Sequence, residues 1–407
     1  MTDKQRWFYL ILFWIVNFCL GSFYAWSIYS SWLADLYTQT AGQTVSVASL
    51  TYIFSIGAAL NPVAMVLAGG LTDRFGPRLV LFIGGIVMAL GYLLMSLSTG
   101  PMMLLLGFGV CLGLGSGTSV IATVTSAVKL FPDKRGFAGG SVGAFYGIGS
   151  VCLPPLANYL AGNIGISSTL FIYSVACAVI ILGSAFLIRL PASRSAQTSQ
   201  KADNNNLVWY QMIRTGRFWA MFVLFIAGTL SPLMLFSQTV TVAQTQIGLS
   251  ISVAVFTISA LALANTTARF LGGAISDKLG RVFTLGSAVA LAILGLVLLS
   301  LAGIGDSLLF FAGLVCIGAG FGSFVGVFPG YTAEQFGPAN ASMNYGVLAL
   351  AFSVSGILGP NIIALTVSDG HYQTAYFIAM IISAIGLAAA FVCRRLEVRQ
   401  VPSNSVI

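Results

Sequence analysis

Long apolar runs dominate this 407-residue chain and decide what it can fold into. A helix of about 20 residues crosses a hydrocarbon core of about 30 Å and satisfies its own backbone hydrogen bonds there. Charged residues make up 7% of the chain, against roughly 25% in a water-soluble domain. The sequence therefore predicts an all-α integral membrane protein with twelve transmembrane helices. They are expected near residues 7–34, 46–71, 79–97, 101–128, 137–162, 168–188, 216–242, 250–275, 282–302, 307–331, 341–366 and 373–393.

Basic residues lie almost entirely on one side of this topology. With the N-terminus in the cytoplasm, 17 of the 18 Lys and Arg residues fall in cytoplasmic tails, loops or the middle linker. The outside loops hold no Lys or Arg, only Asp35, Asp306, Asp369 and His371. The positive-inside rule then places both termini in the cytoplasm, and we expect a multi-pass protein of the bacterial inner (plasma) membrane.

The composition also argues against several kinds of ligand. The six cysteines are scattered singly through apolar runs and form no Cys/His set, so no metal and no cofactor are expected. The net charge of +8 follows the positive-inside loops, so no nucleic-acid partner is expected, and the surrounding partner is membrane lipid. No set of nucleophile, base and metal is recognisable, which argues against an enzyme.

One loop motif occurs twice, half a chain apart. GGLTDRFGPR spans residues 69–78 and GGAISDKLGR spans 272–281. Glycine permits the tight turn, and each Asp can accept hydrogen bonds from backbone N–H groups at a helix start. We predict two pseudo-symmetric six-helix halves, 1–190 and 216–407, joined by a cytoplasmic linker at 191–215, with a site at mid-membrane between them. The polar stretch 191–206 of this linker is predicted to be a short solvated tether. The predicted gating residues are Gly69, Asp73, Arg74, Gly76, Arg78, Asp277, Lys278, Gly280 and Arg281.

The repeated motif resembles the loops between the second and third and between the eighth and ninth spans of the major facilitator superfamily. A narrower resemblance is to the oxalate/formate antiporter family and related bacterial monocarboxylate transporters. It rests on RWFYL at 6–10, SFYAWSIYSSW at 22–32, LFPDKRG at 130–136, IRTGRFW at 213–219, NxxxR at 265–269, FPGYTAEQFG at 328–337 and SMNYG at 342–346. The resemblance implies the fold of that superfamily and transport of small carboxylates by alternating access.

Arg269 is the one basic residue predicted in the interior of a span; every other Lys or Arg falls in a tail, in a loop or at the edge of an apolar run. Such a cation costs roughly 2.5–3.5 kcal/mol to insert, so a functional use is expected. It precedes Asp277 by about two helical turns, ~12 Å, which places it near the membrane midplane. Its guanidinium suits a carboxylate, and the resemblance implies that it is the substrate-binding arginine. The alternative is an arginine that snorkels to the cytoplasmic face or bonds only to backbone carbonyls. Asn265, one turn away, can orient Arg269 or touch the substrate.

The rest of the expected pocket comes from the resemblance. Aromatic residues at or beside the family's pocket positions are Tyr24, Tyr29, Tyr146, Phe321 and Phe324, although each could equally serve packing. Val120 and Val325 replace two further aromatics of the family, so this pocket is expected to be roomier or differently shaped. The oxalate carriers have a lysine where this chain has Phe352. A single cation would leave one carboxylate of a dianion unpaired, which favours a monocarboxylate.

The sequence thus predicts a monomeric carrier of small carboxylates such as lactate, pyruvate or formate. Antiport needs no proton site in the protein, and no span interior contains Asp, Glu or His, but proton symport stays open. An exporter of hydrophobic or cationic compounds is the alternative; it would want a buried carboxylate, which the spans lack. A non-transporting carboxylate sensor is a third possibility, without a signalling domain to support it.

Overall fold

The computed structural model describes residues 3–41, 47–190, 206–236, 238–367 and 372–397, and these residues form helices and short connections. We number the spans α1 to α12. The first, α1, runs through Asp3–Leu20, a 3-10 segment at Gly21–Ala25 and Trp26–Ala41. The others are α2 (Val47–Phe75), α3 (Pro77–Ser96), α4 (Pro101–Leu130), α5 (Arg135–Ile164), α6 (Ile166–Leu187), α7 (Gly216–Phe236), α8 (Ile251–Leu279), α9 (Arg281–Leu301), α10 (Ser307–Phe336), α11 (Ala341–Thr366) and α12 (Gln373–Leu396).

These helices confirm an all-α membrane protein. Among the described residues, eleven helices are long and apolar enough to cross a membrane. The one predicted span outside that set is α8, which has 29 residues and carries Asn265 and Arg269 in its middle. Its length of 29 residues suffices to cross a membrane.

Several helix ends differ from the predicted ones. The predicted seventh span, 216–242, ends at Phe236, and Thr239–Thr245 is a separate short helix. In contrast, α2, α8 and α10 run four or five residues past their predicted ends, each up to a glycine of positive φ: Gly76 (86°), Gly280 (92°) and Gly337 (86°). Such a backbone conformation is nearly specific to glycine, so the glycine, and not the edge of the apolar run, ends each helix.

The helices before the linker meet the helices after it mainly along α2 with α11 and α5 with α8, and α5 also packs against α10. Glycines allow the close approach: a Cβ at Gly69 would lie 2.5 Å from the Ser342 carbonyl oxygen, and one at Gly140 would lie 2.3 Å from that of Arg269. The Gly69 contact lies near the end of the bundle where both copies of the loop motif sit, and the Gly140 contact lies deeper, at Arg269. We call the end that holds both motif copies the motif end; it is the predicted cytoplasmic side.

The part of the predicted linker that follows the polar stretch 191–206 is docked onto the bundle. The Leu207 N–H donates to the Phe336 carbonyl (3.0 Å), and the side-chain amides of Asn340 and Asn344 donate to the Leu207 carbonyl (3.2 and 2.9 Å). Trp209–Met212 forms a short helix before α7. The linker therefore ends against the loop between α10 and α11. Residues 191–205, Asp369, His371 and Arg399 lie outside the described residues.

Candidate functional site

Arg269 lies in the interior of α8, about 15 Å from the helix end at Leu279. Only 8% of the residue is exposed. Its Nε donates to Asn265 Oδ1 (3.0 Å), which is the contact predicted from their spacing of one helical turn. Its Nη1 donates to the backbone carbonyl of Gly143 in α5 (3.1 Å). The guanidinium therefore lies at the crossing of α5 and α8. One of its acceptors precedes the linker in the chain and the other follows it.

No described carboxylate neutralises this cation. The five ion pairs found among the described residues join other groups, and all lie at the motif end. Two of the five guanidinium N–H groups are used by Asn265 and Gly143, and both acceptors are neutral. A buried cation with only dipoles around it leaves donors and charge for an anionic ligand.

Three tyrosines lie near Arg269: Tyr24, Tyr146 and Tyr345. Tyr24 and Tyr146 form an edge-to-face pair with ring centroids 5.7 Å apart. Tyr24 belongs to the 3-10 segment of α1 and keeps 45% of its surface exposed, whereas Tyr146 and Tyr345 are 8% and 6% exposed. Tyrosine hydroxyls can donate to a carboxylate, so this side of the site is polar as well as aromatic.

An apolar group also adjoins the cation. The Phe321 ring centroid lies 6.0 Å from the Arg269 Cζ. Phe352 stacks on Phe321, with centroids 6.1 Å apart and planes 18° apart, and Phe236 meets Phe321 at 6.1 Å and 63°. These three rings come from α10, α11 and α7. We call Phe236, Phe321 and Phe352 the phenylalanine wall. Val325 is half-buried and lies beside Gly143, where the resemblance led us to expect more room.

Two of the predicted pocket residues point elsewhere. Tyr29 is fully buried against Tyr92 and Tyr173, with centroids 6.0 and 6.1 Å away, inside the packing of α1, α3 and α6. Phe324 is also fully buried, and its ring lies over Gly228 of α7. The structure therefore brings Asn265, Arg269, Tyr24, Tyr146, Phe321 and Phe352 together and leaves these two aromatics in the core.

Tyr345 is the residue that the sequence analysis missed. It is part of the SMNYG segment that was used only as a marker of the eleventh span. A tyrosine carries no charge in a hydropathy profile, so only the register of α11 against α8 reveals its place. The available signal for Tyr345 was the SMNYG segment itself, because it places polar residues inside an apolar helix.

The repeated Asp residues close the motif end by capping helices across the bundle. Asp277 Oδ1 accepts from the Gly136 N–H (2.9 Å) and Oδ2 from the Phe137 N–H (2.7 Å) at the start of α5. Asp73 accepts from the Met343 N–H (2.9 Å) and the Ser342 N–H (3.3 Å) at the start of α11. The predicted contact of each Asp with helix-start N–H groups is present, and each one joins elements from opposite sides of the linker.

The cations that complete these contacts differ between the copies. Lys129 Nζ lies 2.6 Å from Asp73 and 3.1 Å from Ser342 Oγ. In the other copy, Arg281 Nη2 lies 2.7 Å from Asp277 and 2.6 Å from Glu334. We call these groups the Asp73 cluster and the Asp277 cluster.

The other predicted gating cations stay on the surface. Arg74, Arg78 and Lys278 are exposed and take part in none of the ion pairs found among the described residues. Arg74 lies over the Phe75 ring and Arg78 over the Phe186 ring. Lys129 and Glu334, which lie outside the motif, form ion pairs in the two clusters instead of these residues.

Comparison with known proteins gives a family and several relatives. The model of the Major Facilitator Superfamily matches residues 7–360. The oxalate:formate antiporter of Oxalobacter formigenes is 28% identical over 400 residues, covering 96% of this chain and 92% of the antiporter. The uncharacterized MFS-type transporter YhjX of Escherichia coli K12 is 29% identical over 355 residues, covering 87% of each. A crystal structure of the E. coli fucose:proton symporter FucP aligns with a TM-score of 0.72 at 15% identity, covering 96% of this chain and 98% of that one.

Proposed function

This chain belongs to the Major Facilitator Superfamily, and from that premise we propose that it is a secondary active transporter of small monocarboxylates of the lactate, pyruvate and formate type. The observation that carries the proposal is Arg269, a buried cation at mid-span with no carboxylate partner among the described residues. A carboxylate entering the site supplies the missing charge. The relative named as an oxalate:formate antiporter supports the same class of substrate.

The number of cations favours one carboxylate on the substrate. Arg269 can form paired, charge-assisted hydrogen bonds with a single carboxylate, while Tyr24 and Tyr146 lie near enough to add neutral ones. A second carboxylate would face the phenylalanine wall and remain unpaired in a medium of low polarity. By the resemblance, the oxalate carriers have a lysine at the position of Phe352. This chain therefore lacks the second cation.

Alternating access is proposed to follow from the two clusters at the motif end. Asp73 and Asp277 each hold a helix start from the opposite side of the linker, so both contacts must break before the site opens toward that end. We propose that this end faces the cytoplasm of a bacterial cell, in the inner membrane, with both termini inside, as the positive-inside rule predicts. The site is formed within one chain, so we propose that a monomer suffices.

Antiport is the proposed mode of coupling. Coupling to protons would need a carboxylate that takes up and releases a proton. Three described carboxylates that could be considered are engaged in ion pairs at the motif end: Asp73, Asp277 and Glu334. Exchange of one anion for another needs no proton site in the protein, because the carrier returns with a second anion that compensates the charge of Arg269. Proton symport is the second mode to test. Export of cationic compounds is disfavoured, since Arg269 would repel a cation.

The decisive experiment is uptake of labelled lactate, pyruvate, formate and oxalate into proteoliposomes, with and without an internal counter-anion. We expect monocarboxylate flux that requires the counter-anion and is lost in Arg269→Gln. Arg395→Gln is the matched control, because Arg395 is exposed at the end of α12. Flux that survives Arg269→Gln would make the arginine structural, and flux driven by a proton gradient alone would replace antiport with symport.

A further inference from the structure

We propose that the preferred substrate is a monocarboxylate with an apolar tail of several carbons, and that the phenylalanine wall binds this tail; the proposal rests on the proposed role of Arg269 as the carboxylate site. Formate has no carbon beyond its carboxylate, and oxalate has only a second charged group. Neither can use an apolar surface beside the cation. The inference concerns which members of the proposed substrate class bind best.

The wall adjoins the cation directly. Phe321 is fixed, with 4% of its surface exposed, and its ring centroid is 6.0 Å from the Arg269 Cζ. Phe352 stacks on it and is only half-buried, so part of its ring stays available to a ligand. Phe236 from α7 closes the group at 6.1 Å from Phe321. Because three different helices supply these rings, the surface is broader than a single aromatic contact.

Most of the polar groups near the cation come from helices other than those of the wall. Tyr24 and Tyr146 lie near Arg269 on α1 and α5, Asn265 and the Gly143 carbonyl hold the guanidinium along the α5–α8 crossing, and only Tyr345 shares α11 with Phe352. In the proposed binding mode the carboxylate lies between Arg269 and Tyr24 and Tyr146, and the tail lies against the wall. The described residues of the wall include no charged or hydroxyl group, so a tail without polar atoms fits it best.

Burial of each methylene group against such a wall strengthens binding by a predictable factor. About 0.8 kcal/mol per buried CH₂ corresponds to about a fourfold change in Kd. The series acetate, propionate, butyrate, valerate and hexanoate keeps one carboxylate and changes only the tail. A site without an apolar wall would give a flat or falling series.

The test is a titration of the purified full-length carrier in lipid nanodiscs with these five acids. We expect the Kd to fall about threefold to fourfold per added methylene until the tail fills the wall. Phe352→Ala should flatten this slope, and Phe352→Leu should restore much of it. Phe377→Ala is the matched control, since that ring is 61% exposed on α12, and it should keep the wild-type slope. Pentanol, which has the tail without the carboxylate, should bind at least tenfold more weakly than valerate.

The outcomes separate this inference from the proposed function. Binding of all five acids with equal Kd, lost in Arg269→Gln, would overturn the apolar-tail proposal and leave the carboxylate site standing. Absence of binding by any acid would overturn both. A wild-type slope that persists unchanged in Phe352→Ala and in Phe321→Leu would show that the tail lies elsewhere, and the assignment of the wall would be wrong.

Discussion

A single arginine in a span needs partners for its donors, and here neutral groups accept from two of the five. Asn265 Oδ1 takes the Nε–H and the Gly143 carbonyl takes one Nη1–H. These two bonds fix the plane of the guanidinium and leave its other donors for a ligand. Preorganisation of this kind matters because a free arginine would have to lose side-chain freedom when the substrate binds.

Removing the acceptor on Asn265 should weaken substrate binding without removing the charge. We expect Asn265→Leu to raise the Kd for monocarboxylates several-fold and up to about tenfold, because the substrate must then order the guanidinium itself, at a cost of about 0.5–1.5 kcal/mol. Titration of the purified carrier measures the change. Asn361→Leu is the control, as Asn361 is exposed on α11 and bonds only within its own helix. An unchanged Kd in Asn265→Leu would mean that Gly143 alone positions the cation.

Phe352 offers a test of the proposal that a single cation at the site favours a substrate with one carboxylate. Phe352→Lys adds a second positive charge beside Phe321, so oxalate should gain at least tenfold in affinity relative to acetate. The ratio of the two Kd values is the measurement, because it cancels any general loss of folded protein. Phe391→Lys, at an exposed position near the motif end of α12, is the control that should leave the ratio unchanged. A ratio that stays constant in both variants contradicts the placement of Phe352 at the site.

The sequence predicts those residues of the site whose relation is local, and it misses those that depend on register. Asn265 and Arg269 share a face because four residues make about one helical turn. Tyr29 is five residues from Tyr24, which turns it about 140° away on an ideal helix, and it faces α3 and α6 instead. Tyr345 joins the site only through the packing of α11. Motif spacing cannot supply that information.

At the scale of the helices, hydropathy locates the membrane-crossing part and the glycines locate the ends. The predicted starts agree with the structure within a few residues, since apolar runs and helices coincide there. The ends of α2, α8 and α10 were predicted too early because each helix continues as a polar turn up to Gly76, Gly280 or Gly337. Those added turns carry Asp73, Asp277 and Glu334, so the underestimated part of each helix is the part that forms the clusters.

The Asp277 cluster should control closure of the motif end. Asp277→Asn removes the charge that stabilises the start of α5 and weakens the contact by about 0.5–2 kcal/mol, enough to shift the equilibrium several-fold toward opening. Spin labels on Cys introduced at Lys134 and Lys278, both exposed, report the distance between α5 and α8 by double electron–electron resonance. We expect a longer-distance population to grow in the variant. Asp35→Asn, at an exposed position of α1, is the control. Identical distance distributions would exclude Asp277 from control of closure.

Glu397, just after α12, makes the motif end sensitive to pH. Burial and then the neighbouring charge of Glu334 raise the pKa of Glu397 above its ordinary value of 4.5, while Arg394 and Arg281 oppose the shift. A carboxyl whose pKa is raised in the folded state destabilises it when ionised, and this cost disappears as the pH falls through the raised pKa. We expect Glu397→Gln to have a higher Tm than wild type at pH 8, by about 1 °C, with the difference shrinking toward pH 4.5.

Thermal unfolding of both proteins in the same detergent between pH 4.5 and pH 8 gives the comparison. Glu334 must remain in place for the effect, because its charge is one of the two causes of the raised pKa. A Tm difference between Glu397→Gln and wild type that grows as the pH falls would contradict a raised pKa of Glu397.

At the scale of the whole molecule, the sequence predicts topology but not conformation. Twelve spans, the repeat and the side of the basic loops are each encoded along the chain. Whether the motif end is open or closed depends on contacts between α2 and α11 and between α5 and α8, which break and re-form in an alternating-access cycle. Two arrangements of one sequence cannot be distinguished by hydropathy, and the closed arrangement is visible only in the contacts of Asp73 and Asp277.

The crossing of α5 and α8 gives the sharpest test of that cycle. A Cβ at Gly140 would lie 2.3 Å from the Arg269 carbonyl oxygen and 3.1 Å from the Gly273 Cα, so Gly140→Ala cannot fit while these helices are in contact. The contact joins elements from opposite sides of the linker, so each set of six helices should still pack, and the motif end should stay open.

We therefore expect Gly140→Ala to be made in normal amount, to lose at least tenfold in transport, and to show the longer Lys134–Lys278 spin-label distance without any change at Asp277. Gly162→Ala is a matched control on the same helix, because a Cβ there meets no atom within 4 Å. Normal transport by Gly140→Ala would mean that the α5–α8 contact is not part of the working cycle. Loss of transport without the longer distance would instead assign the defect to the nearby Arg269 and not to closure, because the same glycine packs against the backbone of the residue proposed to bind the substrate.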